Sequence, residues 1–183
     1  YDWQAKLEKH KLSSDDVYTK KQIRLTSPSI QPPKILFTQL KLFGDDWGDN
    51  TKITKTIVVN DPSLSHSSTR TVDIGLETIC DLIDSDHKVS IPIYLEGSDT
   101  PSLVTYTVDS ILCHTGDKLN FGHYTVLRFE KNGDVHYCDD DIVVNWQDHA
   151  KAKGVTSSAK TLTQFCREKK LSGYMFSLSL DPP

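Results

Sequence analysis

The sequence lacks several patterns that would assign it to a common functional class. It has four cysteines but no Cys-x-x-Cys pair, so the spacing typical of a zinc site or a dithiol redox motif is missing. No apolar run approaches the ~18 residues that a membrane span needs. Lysines and aspartates are interspersed along a chain of net charge -4, whereas a nucleic-acid groove needs clustered positive charge. We therefore predict no metal site, no cofactor, no membrane span and no nucleic-acid partner.

Length and thiol usage favour one domain in a reducing compartment. The 183 residues suffice for one compact domain and are short for two. Residue 1 is Tyr rather than Met, and we expect residues 1–183 to be a piece of a longer protein. Widely spaced cysteines are typical of free thiols in the cytosol, and they lie at Cys80, Cys113, Cys138 and Cys166. The sequence therefore predicts a cytoplasmic protein, and a secreted effector that acts in a host cytosol would have the same features.

The spacing of apolar residues predicts mostly strands with a few helices. Strand-like segments lie at 17–25, 35–43, 53–59, 89–95, 103–113, 124–129, 135–138 and 174–180, and helical segments lie at 2–12, 75–83 and 156–170. The segment 35–43 reads as a buried strand, because Ile35 and Phe37 are too apolar for an exposed edge. Ser157 or Ser158 is a suitable cap for the last helix. We expect an α+β fold, with a mostly antiparallel sheet and helices attached to one side.

A histidine and a run of aspartates flank a predicted β-hairpin in the segment 112–144. Asn132-Gly133 lies between its two apolar strands and predicts a two-residue type I′ turn, because both residues accept a positive φ. Such a hairpin brings His123 near the aspartates at 139–141. An imidazole held by a carboxylate can serve a nucleophile as a general base. A solvated histidine beside an acidic surface cluster is the other interpretation.

The residues alone leave two aspartates as candidates for the partner of His123. A two-residue turn places Thr125 opposite Asp140, and side chains alternate in face along a strand. An ideal ladder therefore puts His123 and Asp140 on one face. A β-bulge would shift that face by one residue, to Asp139.

The same segment matches a known signature in order, as a strand ending in His-x-Gly, a Gly-His-Tyr box and an acidic box. The matching residues are Tyr106, Val108, Ile111, His114 and Gly116, then Gly122, His123 and Tyr124, then Asp139, Asp140 and Val143. This order resembles the C-terminal signature of the ubiquitin-specific proteases, which are papain-like cysteine proteases that cut after the terminal glycine of ubiquitin. Segments 32–43, 72–74 and 173–176 look like the flanking pieces of the family pattern. The resemblance covers about four fifths of the chain.

The chain also departs from the family pattern. Leu42 replaces the Arg of a Leu-Lys-Arg-Phe motif, and Val135 and Cys138 replace aromatic residues before the acidic box. The family's nucleophile lies in an N-terminal Gly-x-x-Asn-x-Gly-Asn-x-Cys box, which does not occur in residues 1–183. These differences indicate a divergent member whose nucleophilic cysteine belongs to a preceding segment or to another chain.

The resemblance implies a thiol protease in which His123 is the general base and an aspartate orients its ring. The family pattern favours Asp139, and Asp140 stays open. The fold implied is the palm-like part of a papain-like protease, and the partner implied is ubiquitin or a ubiquitin-like protein. The residues expected to border its C-terminal tail are Gly122, Tyr124, His114, Gly116, Asp45 and Asp46.

Neither Cys80 nor Cys113 is expected to be the nucleophile, and two other functions stay open. Cys80 lies in the middle of a predicted helix and Cys113 on a predicted strand, and neither position supplies the features that activate a thiol. An inactive ubiquitin-binding module would keep the same surface without a nucleophile. A β-rich interaction domain, in which the match is accidental, would have His123 far from any acidic side chain.

Overall fold

The computed structural model describes residues 25–44, 51–59, 68–118, 120–152 and 159–181. The predicted helix at 2–12, nearly all of the predicted strand at 17–25, and the acidic loop that carries Asp45 and Asp46 lie outside these ranges. Among the described residues, no helix is both long and apolar enough to cross a membrane.

The described part of the chain forms nine strands and three helices. The strands are β1 Ile35–Gln39, β2 Thr54–Val59, β3 Ser68–Asp73, β4 Lys88–Ile93, β5 Ser102–Lys118, β6 Phe121–Phe129, β7 Val135–Asp139, β8 Ile142–Asn145 and β9 Ser172–Leu180. The helices are α1 Ile74–Asp84, α2 Trp146–Ala152 and α3 Leu162–Lys169.

One antiparallel sheet dominates the fold. Its strands follow the order β1-β9-β5-β6-β7-β8, and β4 pairs with the first half of β5, while β2 and β3 form a separate hairpin. Strand β5 is the longest and pairs with β4, β6 and β9, so it is the centre of the sheet. The predicted α+β fold with a mostly antiparallel sheet is confirmed.

The core lies where α1 and α3 pack against each other and against the sheet. Ile79 of α1 and Phe165 of α3 are fully buried, together with Tyr106 and Leu127 of the sheet. Burying a side chain of this size contributes about 1.5–3 kcal/mol relative to leaving it in water. Cys80 is also buried, as predicted for the inner face of α1.

Local hydrogen bonds determine where the helices begin. The carboxylate of Asp73 accepts from the amide of Leu76 at 3.0 Å and caps α1. Thr161 caps α3, because its hydroxyl accepts from the amide of Gln164 at 3.2 Å, and the predicted caps Ser157 and Ser158 lie outside the described residues. The predicted long helix at 156–170 is therefore shorter than expected.

Helix α2 was not predicted, although its sequence carries a start signal. The side chain of Asn145 accepts from the amide of Gln147 at 3.0 Å, which is the bond expected at the beginning of a helix. Trp146 and Phe165 pack with ring centroids 5.7 Å apart, so α2 is held against α3.

Strand β1 is exposed, which contradicts the prediction that it is buried. It lies at the end of the strand order, with β9 as its partner in the described part of the sheet. The side chains of Ile35 and Phe37 are 59% and 74% exposed. Apolar content did not separate a buried strand from an edge strand here, because exposure depends on strand order.

Candidate active site

The β6–β7 hairpin closes with a three-residue loop instead of the predicted two-residue turn. The carbonyl of Glu130 accepts from the amide of Gly133 at 2.9 Å, and the amide of Glu130 donates to the carbonyl of Asp134 at 2.9 Å. Gly133 has φ 88°, whereas Lys131 and Asn132, which are both described, do not have positive φ. A type I′ turn needs positive φ at both central residues, so that prediction is wrong. A turn followed by a left-handed glycine is the usual three-residue form.

The extra loop residue shifts the ladder by one position and decides which aspartate faces His123. Val126 pairs with Cys138, and Leu127 pairs with Tyr137. One step along the same ladder, Thr125 lies opposite Asp139 rather than Asp140. Because faces alternate along a strand, Asp139 shares the face of His123. The register argument for Asp140 is therefore wrong.

His123 and Asp139 form a short hydrogen bond across the two strands. Nε2 of His123 lies 2.6 Å from Oδ1 of Asp139, and the nearest oxygen of Asp140 lies 4.0 Å away. The hydroxyl of Tyr137 donates to the other oxygen of Asp139 at 3.3 Å. An ionised Asp139 can only accept, so neutral His123 carries its proton on Nε2 and keeps a lone pair on Nδ1.

The two members of the pair shift each other's pKa in opposite directions. The hydrogen bond that His123 donates to Asp139 raises the pKa of His123 and lowers the pKa of Asp139. The side chain of His123 is 48% exposed and that of Asp139 is 28% exposed, so solvent reaches both. Burial raises the pKa of Tyr137 to about 12, so its hydroxyl stays protonated and continues to donate to Asp139.

Tyr137 is a site residue that the sequence analysis missed. It lies two positions before Asp139 on β7 and therefore points to the same face. Its position two residues before Asp139 could have indicated this from the sequence, but Tyr137 does not belong to the family motifs that the chain matches.

Asp140 occupies a strained turn between β7 and β8. Asp139 pairs with Ile142, so Asp140 and Asp141 form a two-residue turn. Asp140 has φ 51°, a left-handed conformation that aspartate tolerates better than most residues. Its exposed carboxylate completes a group with His123 and Asp139 whose ligand atoms all lie within 4.8 Å of one another. In the described part of the chain, these three residues are the group that could hold a metal ion.

The two glycines that precede His123 lie within paired strands, Gly116 in β5 and Gly122 in β6. Strand β5 continues to Lys118, and β6 begins at Phe121. A Cβ at Gly122 would contact Nε2 of His114 and the carbonyl of Thr115, and a Cβ at Gly116 would lie 2.6 Å from the carbonyl oxygen of Phe121. These glycines therefore allow close packing of the two strands.

His114 lies beneath the site and does not reach solvent. It is completely buried, with ring centroids 5.3 Å from Phe43 and 4.9 Å from Tyr124 in edge-to-face geometry. Burial, and then the charge of Lys52, lowers its pKa, so the ring is neutral. Within the described residues, neither ring nitrogen has a hydrogen-bond partner. The prediction that His114 contacts substrate does not fit this buried position, in which the ring lies against Gly122.

Two aromatic residues close to His123 in the chain are exposed, and strand alternation puts the side chain of Tyr124 on the opposite face of β6 from that of His123. Tyr124 is 41% exposed and packs near Tyr174, with centroids 6.1 Å apart, and Phe121 is 78% exposed. That Tyr124 borders the substrate stays a prediction. Phe121 was not selected, because it does not belong to the Gly-His-Tyr box.

A buried lysine connects the site to α1 and β9. Nζ of Lys52 donates to the carbonyl of His114 at 2.9 Å and lies 3.3 Å from the carboxylate of Asp73. Asp73 also accepts from the hydroxyl of Ser172 at 2.7 Å. The side chain of Lys52 is only 8% exposed. No sequence pattern identified Lys52, because its partners are distant along the chain.

The four thiols are in environments that keep them protonated. All four cysteines lie in the described residues, and Cys80, Cys113 and Cys166 are buried. Burial raises the pKa of every one of them, that of Cys166 to about 12. Cys138 is partly exposed and its pKa is raised as well. A thiolate is the reactive form of cysteine, and a raised pKa disfavours it.

A histidine hydrogen-bonded to a carboxylate on an adjacent strand, whose other nitrogen has no hydrogen-bond partner among the described residues, is the arrangement of a general base and its orienting group. The sequence profile of the ubiquitin carboxyl-terminal hydrolase family matches residues 11–176, and the chain belongs to that family.

Solved structures of deubiquitinating modules resemble the fold. One is described as the Ubp8-Sgf11-Sgf73-Sus1 SAGA DUB module, with 15% identity and a TM-score of 0.40 over 82% of this chain. A second structure of a Ubp8/Sgf11/Sus1/Sgf73 module has 16% identity and a TM-score of 0.36 over the same share. In both cases the chain spans 24% of the neighbour's length. No curated protein sequence matches the chain.

Proposed function

We propose that residues 1–183 supply the base-bearing part of a cysteine-type deubiquitinase, which cleaves the isopeptide bond after the C-terminal glycine of ubiquitin or a ubiquitin-like protein. The observation that carries the proposal is the 2.6 Å hydrogen bond between Nε2 of His123 and Asp139. It leaves Nδ1 as the nitrogen that accepts a proton. Membership of the hydrolase family supports the reaction class.

The mechanism follows from the roles of the two ring nitrogens. Nδ1 of His123 takes the proton of a cysteine thiol, and the thiolate attacks the carbonyl carbon of the scissile bond. The proton then passes from Nδ1 to the leaving lysine amine, and water completes hydrolysis of the thioester. Asp139 stays ionised throughout, holds the ring in orientation and stabilises the imidazolium.

The nucleophile in this proposal comes from a segment outside residues 1–183 or from a second chain. Burial and raised pKa argue against Cys80, Cys113 and Cys166, and a raised pKa argues against Cys138. A thiol opposite Nδ1 would complete the site.

The substrate tail in this proposal runs along the exposed side of the β5–β6 hairpin. Gly116 and Gly122 allow the two strands of the hairpin to lie close together, and Tyr124, the residue that follows His123, offers an exposed aromatic ring. Asp45 and Asp46 are proposed to meet basic residues near the end of ubiquitin. The protein would act in the cytosol, where ubiquitin conjugates occur.

A ubiquitin carrying a C-terminal electrophile tests the proposal with a longer form of the protein that includes the preceding segment. We expect one covalent adduct in the wild type, and none with His123→Ala, because the thiol then lacks its base. Asp141→Asn is the matched control, since Asp141 lies in the turn between β7 and β8, close to Asp139, but does not contact His123. Equal labelling of wild type and His123→Ala would contradict the proposal.

A non-catalytic ubiquitin-binding module is the second candidate function. The protonated state of all four thiols favours it if no nucleophile is supplied from elsewhere. Binding of ubiquitin by the longer protein without any adduct would identify this function.

A further inference from the structure

We propose that His123, Asp139 and Asp140 form a site for a divalent transition metal of the Zn²⁺ class, and that metal binding prevents His123 from acting as a base. The first half concerns only the residues of this chain. The second half rests on the proposed function.

The geometry places three ligand atoms around one point. Nε2 of His123 is 2.6 Å from Asp139 and 4.0 Å from Asp140, and all three ligand atoms lie within 4.8 Å of one another. Bonds of ~2.0–2.1 Å in a tetrahedral zinc site separate neighbouring ligand atoms by about 3.3 Å. On binding, the His123–Asp139 pair therefore opens by less than an ångström, and Asp140 closes by a similar amount towards His123 and by at most about 1.5 Å towards Asp139.

The group is accessible to an ion and able to adjust. The side chain of Asp140 is 81% exposed and that of His123 is 48% exposed, so neither is fixed by packing. The left-handed φ of Asp140 bends β7 into β8 directly beside Asp139. Solvent can supply a fourth ligand, as water does in open zinc sites.

The donor set selects the class of metal. One imidazole and two carboxylates suit Zn²⁺ and related ions, whereas Mg²⁺ and Ca²⁺ prefer oxygen ligands alone. Two ionised aspartates also balance the charge of a divalent ion. Mg²⁺ is therefore the appropriate negative control.

Metal binding at Nε2 changes the tautomer of His123. Without metal, Nε2–H donates to Asp139 and Nδ1 has the free lone pair. A metal takes the lone pair of Nε2, so the neutral ring carries its proton on Nδ1 instead. No proton is lost from the ring, but Nδ1 can no longer accept one from a thiol. The predicted result is reversible inhibition without blockage of the substrate surface.

Zinc titration of the 1–183 chain tests the site directly. We expect one site by calorimetry with ZnCl₂, no binding of MgCl₂ at the same concentrations, and ¹⁵N signals that move the proton of His123 from Nε2 to Nδ1. The chain has seven histidines, and the ring signals distinguish binding at His123 from binding at any other. The proposal is overturned if the His123 signals do not move while zinc binds elsewhere or not at all.

Two variants separate the proposed ligands from general negative charge. Asp140→Asn removes the third ligand and is expected to weaken zinc binding about tenfold or more, which is the range seen when metal sites lose supporting groups. Asp141→Asn removes the same charge from the same turn and is expected to leave the affinity unchanged. Equal losses in both variants would overturn the assignment of Asp140. Far-ultraviolet circular dichroism verifies that each variant is folded.

Labelling of the longer protein by the ubiquitin electrophile tests the functional half. Zinc at concentrations that fill the site is expected to slow labelling, and excess chelator is expected to restore it. Asp140→Asn, compared with its own metal-free rate, should need about tenfold more zinc. Equal sensitivity of wild type and Asp140→Asn would overturn this half. Absence of labelling without zinc would instead refute the proposed function, and the titration would still decide the metal site.

Discussion

Replacing the buried Lys52 with methionine tests whether this residue stabilises the structure beneath the candidate active site. Methionine keeps an unbranched apolar side chain but removes the ammonium group. The carbonyl of His114 and the carboxylate of Asp73 then lose the partner that lies 2.9 Å and 3.3 Å from them. We expect Lys52→Met to be destabilised because both acceptors remain in place.

The magnitude follows from what remains around Asp73. Removal of one partner from a fully buried ion pair costs about 3–5 kcal/mol. Asp73 is 24% exposed and keeps two donors, the amide of Leu76 and the hydroxyl of Ser172, so the loss should be smaller. The expected decrease in the free energy of unfolding is about 2 kcal/mol, within the range for a buried polar group left unpaired.

Urea unfolding of the 1–183 chain measures this decrease, followed by circular dichroism with m-values compared between variants. Lys88→Met is the matched control, because Lys88 also pairs with an aspartate, Asp181, but is 52% exposed. We expect a much smaller effect there, since solvent screens the pair. A loss of stability in Lys52→Met no larger than that in Lys88→Met would show that the buried ammonium group does not stabilise the fold.

Three further predictions concern the site and the thiols. Asp139→Asn should lower the pKa of His123 in chelator-treated buffer, measured by NMR titration, because an amide supplies no negative charge to the imidazolium; an unchanged pKa would contradict the pairing. Gly122→Ala should destabilise the chain by about 1–3 kcal/mol, because its Cβ meets the ring of His114. In the double variant Gly122→Ala/His114→Ala, the loss of stability in thermal unfolding should be smaller than the sum of the losses in the two single variants. A loss equal to that sum would exclude contact between residues 114 and 122. Ellman's reagent should modify the folded chain slowly and Cys138 first, since the other three thiols are buried; rapid modification of a buried cysteine would contradict this structure.

Sequence periodicity predicted the positions of helices and strands better than it predicted which side chains are buried. Helix α1 and strand β5 were identified because their apolar spacing is regular over a full element. Phe37 was expected to be buried and is exposed, and His114 was expected to border the substrate and is buried. Both environments depend on which strands become neighbours. Residues that are distant along the chain determine those environments.

The hairpin around Gly133 illustrates how an error in predicting the length of one loop changes the predicted partner of His123. Asn-Gly is compatible with a two-residue turn and with a three-residue loop, and the sequence analysis selected the former. The difference is one residue of register, and it moves the face of His123 from Asp140 to Asp139. The family pattern favoured Asp139, because a pattern of related sequences already includes the loop geometry.

The tautomer of His123 is the most direct test of the central claim, that Asp139 holds this ring with Nδ1 free for a thiol. Long-range ¹H–¹⁵N NMR of the metal-free 1–183 chain, at a pH above the pKa of His123, distinguishes a protonated ring nitrogen from an unprotonated one. We expect a proton on Nε2 and a free lone pair on Nδ1 in the wild type, and loss of this preference in Asp139→Ala. A proton on Nδ1 in the wild type, or the same tautomer distribution in both proteins, would contradict it.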